Sequence, residues 1–180
     1  MLSDTERHEL LTLARRMIAA RLTGSRPPTL PVGIDQRAGA FVTLTVGGDL
    51  RGCIGYPRGD RRLPDVVAEC AVAAAMEDPR FPPLTPEELE GAEVEISVLG
   101  PVEPVADTTE IEVGRHGLIV EQGMWRGLLL PQVATEHGWD RETFLSHTCL
   151  KAGLPSGAWR SGARIFKFEA EVFSEESVPM

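Results

Sequence analysis

Residues 40–57 read AFVTLTVGGDLRGCIGYP. Phe41, Thr43 and Thr45 alternate with Val42, Leu44 and Val46, the period-two pattern of a strand with one buried face. Gly47-Gly48-Asp49 supplies a tight turn. LRGCIG, residues 50–55, then returns as a second strand. A short turn of this kind joins only antiparallel neighbours.

Working outward, the same theme recurs. Ser3 to Glu6 forms a capping-box pattern, and apolar residues from Leu10 to Leu22 follow at helical spacing towards a stop near Gly24. RPPTLPVG is an extended surface connection. Beyond the hairpin, Pro57 to Arg62 is a polar loop. PDVVAECAVAAAMED then places Val67, Cys70, Ala71, Ala74 and Ala75 on one helical stripe, small enough for close approach to a sheet. Pro79 ends that helix. Thr85-Pro86-Glu87-Glu88 opens a short one with proline at its first position. In AEVEISVLGP, Val94, Ile96 and Val98 alternate with Glu93, Glu95 and Ser97. RHGLIVEQ and MWRGLLLPQ read as a second hairpin turning near Gln122-Gly123. Pro131 to His137 reads as a short helix or a turn. Asp140 caps a helix that stops at Gly153, and ARIFKFEAEVF is a last strand. Two hairpins without regular βα alternation predict an α+β fold, a largely antiparallel sheet with packed helices. The Pro-rich loops after residues 25 and 100 are the weakest links.

A chain of 180 residues fits one domain, or one with a smaller lobe, and holds a core without disulfide or metal. The formal charge of −9 argues against non-specific binding to nucleic acid or an anionic membrane. The charged N-terminal stretch lacks the apolar core of a signal peptide, and no run of about 18 apolar residues exists to span a membrane. The cytoplasm is the expected location. Three widely spaced cysteines, Cys53, Cys70 and Cys149, argue for free thiols in a reducing compartment. Asparagine is absent. No zinc, EF-hand, phosphate-loop or dinucleotide signature occurs, so no cofactor and no metal is implied.

Chemistry concentrates on LRGCIG. Alternate residues of a strand share a face, so Arg51 and Cys53 point one way. A two-residue turn, in either register, sets them on the face of Val42, Leu44 and Val46; a three-residue turn reverses this. A nearby cation favours the thiolate over an unperturbed thiol of pKa about 8.5. Gly52 and Gly55 would let a backbone or ligand approach. Equally, Cys53 is a small packing residue and the glycines serve close packing; both readings stay open. Cys70 and Cys149 read as core. His116, between a strand start and a glycine, and His137 are the better candidates among the four histidines. Gln132, just past a buried strand, could bind a ligand. Asp78 and Arg80 bracket Pro79 and read as a local ion pair.

LRGCIG, the alanine-rich helix ending EDPRFPPL, VEISVL, HGLIVEQG, GLLLPQVA, W-x4-FL and CLKAGL together resemble the AMMECR family, whose microbial members are called AmmeMemoRadiSam system protein A. The resemblance runs from about residue 5 to 173. It implies a single AMMECR-type domain over residues 1–180, with two unequal lobes, the smaller over about 105–162. It implies a functional centre at LRGCIG, hence Cys53 and Arg51 as catalytic candidates with Gly52, Gly55, Gln132, His116 and His137 around them. The implied partners are a Memo-like protein, similar to extradiol dioxygenases, and a radical SAM protein. The activity implied is a thiol-dependent enzyme or enzyme subunit, nucleophilic or redox; the alternative is a non-catalytic ligand-binding or adaptor protein that uses the motif as a groove.

Overall fold

A computed structural model describes residues 1–178. Its contacts divide the chain into two units: Met1–Leu99 together with the chain from Glu171, and Gly100–Ala170.

The first unit begins with helix α1, Asp4–Thr23. The Ser3 hydroxyl accepts from the Glu6 N–H while the Glu6 carboxylate accepts from the Ser3 N–H. These two bonds satisfy donors that a helix start otherwise strands. Gly24 ends α1 in the left-handed conformation. Strands β1, Ala40–Val46, and β2, Asp49–Tyr56, form the expected hairpin about Gly47-Gly48. Helix α2, Leu63–Met76, and the five-residue α3, Pro86–Glu90, lead into β3, Ala92–Leu99. β1 lies between β2 and β3, antiparallel to both, which leaves β2 at an edge of this unit. Ala40, Val42 and Leu44 with Val94, Ile96 and Val98 make one sheet face fully buried. That face meets Leu10, Ala14 and Ile18 of α1 and Val67, Cys70, Ala71 and Ala74 of α2 in one apolar core. Burial of this apolar area is what drives α1 and α2 onto the sheet. The chain returning from Glu171 is fastened to α1 by Arg7 on Glu171 and Arg15 on Glu175.

The second unit holds the two-residue strand β4, Glu103–Pro104, β5, His116–Gln122, and β6, Trp125–Leu129. Helices α4, Pro131–His137, and α5, Arg141–Lys151, follow, then β7, Arg164–Ser174, whose last residues belong to the first unit. β5 pairs antiparallel with β6 and with β7, and β4 pairs antiparallel with β7. Pro131 to His137, open between helix and turn in sequence, is a helix because Pro131 sits at its first position and Gly138 closes it at positive φ. Phe144 and Leu145 of α5 pack with Leu118 and Ile111, and Cys149 packs with Val120. The approach is close: a side chain at Gly127 of β6 would lie 2.4 Å from the Ala152 nitrogen.

Mixed helices with antiparallel strand pairing give the α+β class expected. Among the described residues no helix is long and apolar enough to cross a membrane.

Candidate functional site

The LRGCIG strand does not have the parity that its turn length predicts. Val46 faces Asp49 and Thr45 faces Leu50, but Leu44 faces Gly52. Arg51 is one residue too many, a β-bulge. An extra residue on one strand reverses which side every later residue takes. Cys53 therefore lies opposite Thr43, and Gly55 opposite Phe41. The expectation that Arg51 and Cys53 share the face of Val42, Leu44 and Val46 is corrected: that face is packed with helices, and Cys53 sits half-buried on the other. Its neighbours there are Thr43, which donates to Cys53 Sγ at 3.3 Å, and Glu95, which pairs with Thr43 across β3.

The two glycines of the motif are explained by protein. A Cβ on Gly52 would sit 2.1 Å from the carbonyl oxygen of Ala74 in α2. No side chain fits there, so the small stripe of α2 and Gly52 together set the helix-to-strand distance. A Cβ on Gly55 would fall 2.3 Å from ring carbons of Phe41, whose ring lies across it. Neither glycine faces open ligand space.

The charge beside Cys53 comes from a different residue than the motif suggests. Arg51 is engaged elsewhere: it donates to Glu88 at 2.7 and 3.2 Å. Glu88 is also the capping carboxylate of α3, accepting from the Thr85 N–H, and the Arg51 contact holds its carboxyl below the usual range. Just beyond α2, Asp78 is 4% exposed and organises the edge of β2. Its Oδ2 accepts from the Cys53 N–H at 3.0 Å, a donor that an edge strand leaves without a strand partner. Arg80 donates to the same carboxylate at 2.7 and 3.0 Å through its guanidinium and at 3.1 Å through its backbone N–H. The local ion pair expected of Asp78 and Arg80 is present. The guanidinium bond to Arg80 holds the Asp78 carboxyl far below the usual carboxylate range, with the Cys53 N–H contributing. Phe81 completes the cluster, its ring 5.7 Å from the Arg51 guanidinium and 5.5 Å from that of Arg80, within cation–π range.

The thiol itself is not activated. Burial pushes Cys53 above its ordinary pKa; the Thr43 hydrogen bond and Arg80 oppose this, while Asp78 and Glu95 add to it. At neutral pH the sulfur carries its proton. Cys70 and Cys149 are buried core residues, as expected, and burial pushes the Cys70 thiol up to about 11. All three thiols are free.

Cys53, Arg51, Gly52 and Gly55 lie together in the first unit, whereas Gln132, His116 and His137 lie in the second. Gln132 is half-buried in the first turn of α4, and His137 is the exposed last residue of that helix. The His137 and His147 rings both stack on Trp139, at 4.6 and 3.9 Å between centroids. His116 is buried at the start of β5, and its Nδ1 accepts from the Glu112 N–H at 3.0 Å. Burial, with Lys167 and Arg115 nearby, lowers its pKa. Sequence reasoning missed the link from Asp78 to the Cys53 backbone, and with it Thr43 and Glu88. Among the described residues no group of three or more His, Cys, Asp or Glu side chains is placed to hold a metal ion.

A family model described as AMMECR1 matches residues 11–173. A protein of Methanothermobacter thermautotrophicus is 50% identical over 186 aligned positions, covering 97% of each chain. Protein MJ0810 of Methanocaldococcus jannaschii is 44% identical, covering 90% of this chain and 86% of its own. The crystal structure of PH0010 from Pyrococcus horikoshii superposes with a TM-score of 0.88 at 42% identity, covering 94% of this chain and 91% of that one.

Proposed function

The chain belongs to the AMMECR1 family, and from that premise we propose that the half-exposed face of β1, β2 and β3 around Cys53 is a binding surface, through which the protein serves as a ligand-binding or adaptor subunit for Memo-like and radical SAM partners. The observation that supports this reading is the resting chemistry of the motif. A nucleophilic thiol needs an accessible thiolate, but burial keeps Cys53 protonated. Arg51 and Arg80 are each held by a carboxylate in two guanidinium hydrogen bonds. What the face presents is a neutral S–H beside the hydroxyls of Thr43 and Thr45 and the carboxylates of Glu93 and Glu95, which lie opposite Thr45 and Thr43. This is a recognition surface of donors and acceptors on a rigid strand.

The thiol-enzyme reading draws on one specific observation. Cys53 lies on the half-exposed face rather than in the core, with a hydroxyl donor on its sulfur and Arg80 lowering its pKa against burial. In that reading Cys53 acts as nucleophile or redox thiol, and Arg51 positions the strand through Glu88.

The two readings separate in one experiment. The tagged protein, its Cys53→Ser variant and its Thr43→Arg variant are expressed in a host that carries both partners, and captured partners are quantified. The binding reading expects Cys53→Ser to retain them and Thr43→Arg, which fills the face, to lose them. Full capture by Thr43→Arg would refute it.

A further inference from the structure

The second unit contains a cavity of about 560 Å³ that the LRGCIG strand takes no part in. Its volume falls within the range of small-molecule sites. The register of β4, β7 and β5 gathers its charged walls. Glu103 faces Lys167, and His116 faces Glu169, so all four share one sheet face.

The charges on this cavity are not equally committed. Arg115 is consumed by Glu169, at 2.6 Å, and by Glu112, at 2.7 Å. Lys167, Glu103 and Glu110 also line the cavity, and among the described residues none of these three makes an ion pair. His116 adds a directed donor. The imidazole is 6% exposed, and its Nδ1 is occupied as an acceptor of the Glu112 N–H. In the neutral ring the proton therefore sits on Nε2. Among the described residues Nε2 has no hydrogen-bond partner, yet it is not among the sealed polar atoms of the interior, so it is reached from the cavity that His116 lines. That N–H is a directed donor that a ligand in the cavity can engage.

We infer that this cavity is a second binding site, which takes a small zwitterion of the amino-acid class, its carboxylate held by Lys167 and the His116 Nε2–H and its ammonium by Glu103 and Glu110. A simple anion would satisfy the two donors and leave the two carboxylates facing it; a simple cation would do the reverse. Only a ligand carrying both charges answers both sets. Arg115, already neutralised, acts as a wall that fixes Glu112 and hence the His116 ring.

The test uses the full chain, labelled with 15N, and four probes: glycine, glycylglycine, acetate and methylammonium. Imidazole nitrogen spectra follow His116 and calorimetry gives affinity. The expected result is that glycine or glycylglycine shifts His116 Nε2, with acetate and methylammonium binding at least about tenfold more weakly. Lys167→Met and the double variant Glu103→Gln/Glu110→Gln, which change only side chains at the cavity wall, should each weaken the zwitterion by about tenfold or more. An unmoved His116 resonance with all four probes, acetate binding as tightly as glycine, or unchanged affinity in Lys167→Met would each overturn the inference.

Discussion

Asp78 is the residue on which the LRGCIG strand's geometry and its thiol chemistry both depend, and replacing it tests both. Asp78→Ala strands the part-buried Cys53 N–H, which costs about 1–3 kcal/mol for a donor left without an acceptor. The Arg80 bonds add little, about 0–1 kcal/mol, because that guanidinium is half-exposed and recovers water. The expected loss is about 1–4 kcal/mol, or about 2–16 °C in Tm for a chain of this length. Asp78→Asn keeps an acceptor for the Cys53 N–H and should lose only about 1 kcal/mol. The pH dependence has a defined sign. The folded Asp78 pKa is depressed, so its stabilisation is present above the ordinary carboxylate pKa of about 3.9 and is lost as pH falls below it. The advantage of the wild type over Asp78→Asn should therefore vanish in acid. The thiol gives an independent readout, the pH midpoint of iodoacetamide labelling of Cys53 with Cys70 and Cys149 replaced by alanine. Asp78 raises this thiol and Arg80 lowers it. Asp78→Asn should move the midpoint down and Arg80→Ala should move it up, each by about half to one unit. Midpoints in the opposite directions, or a cost below about 0.5 kcal/mol for Asp78→Ala, would refute the reasoning.

Gly52→Ala should destabilise the first unit by about 3 kcal/mol or more in urea unfolding, since its Cβ would meet the Ala74 carbonyl at 2.1 Å; a neutral result would mean α2 can move away freely. Arg51→Gln should raise the Glu88 pKa towards its ordinary value, because the Arg51 bond is the largest cause of its depression, and should cost about 0.5–1 kcal/mol as a partly exposed pair; carboxyl NMR titration checks the first and unfolding the second. His116 should titrate below the ordinary histidine range in an imidazole NMR titration. Its depressed pKa means that it adds stability at pH values above about 6.5 and withdraws it as pH falls from there, a dependence that His116→Gln should abolish.

The elements were legible because each carries its own local signal. Capping boxes at Ser3 and Thr85 and the glycine stop at 24 act over a few residues, and so does the period-two pattern of β1 and β3. The two-residue β4 was not legible: Glu103 and Pro104 pair with Lys167 and Phe166, a contact set by the partner strand rather than by local propensity. The face of Cys53 was misassigned for a similar reason. Parity along β2 follows from the turn only where the ladder is regular, and nothing in the string DLRGC announces that Arg51 is extra. The bulge exists because Gly52, not Arg51, must lie under Ala74, which is a tertiary demand. Asp78 was visible as a partner of Arg80 but not of Cys53, because that bond forms only once α2 has folded back along β2 and delivered its C-terminal end to the strand edge.

The bulge changes what it means for another protein to contain this motif. Six matching letters do not show whether the strand carries a bulge; the number of residues between the turn and the cysteine does. A relative with LRGCIG but one residue fewer between the turn and the motif would set its glycine opposite the Leu44 position and its cysteine opposite the Thr43 position in a regular ladder, with no bulge at all. Comparisons within the family should therefore be made on the spacing from the Gly47-Gly48 turn as well as on identity. Deleting Arg51 in this protein would take out the extra residue and leave Gly52 opposite Leu44 and Cys53 opposite Thr43, so the outer position of the thiol survives the loss of the bulge.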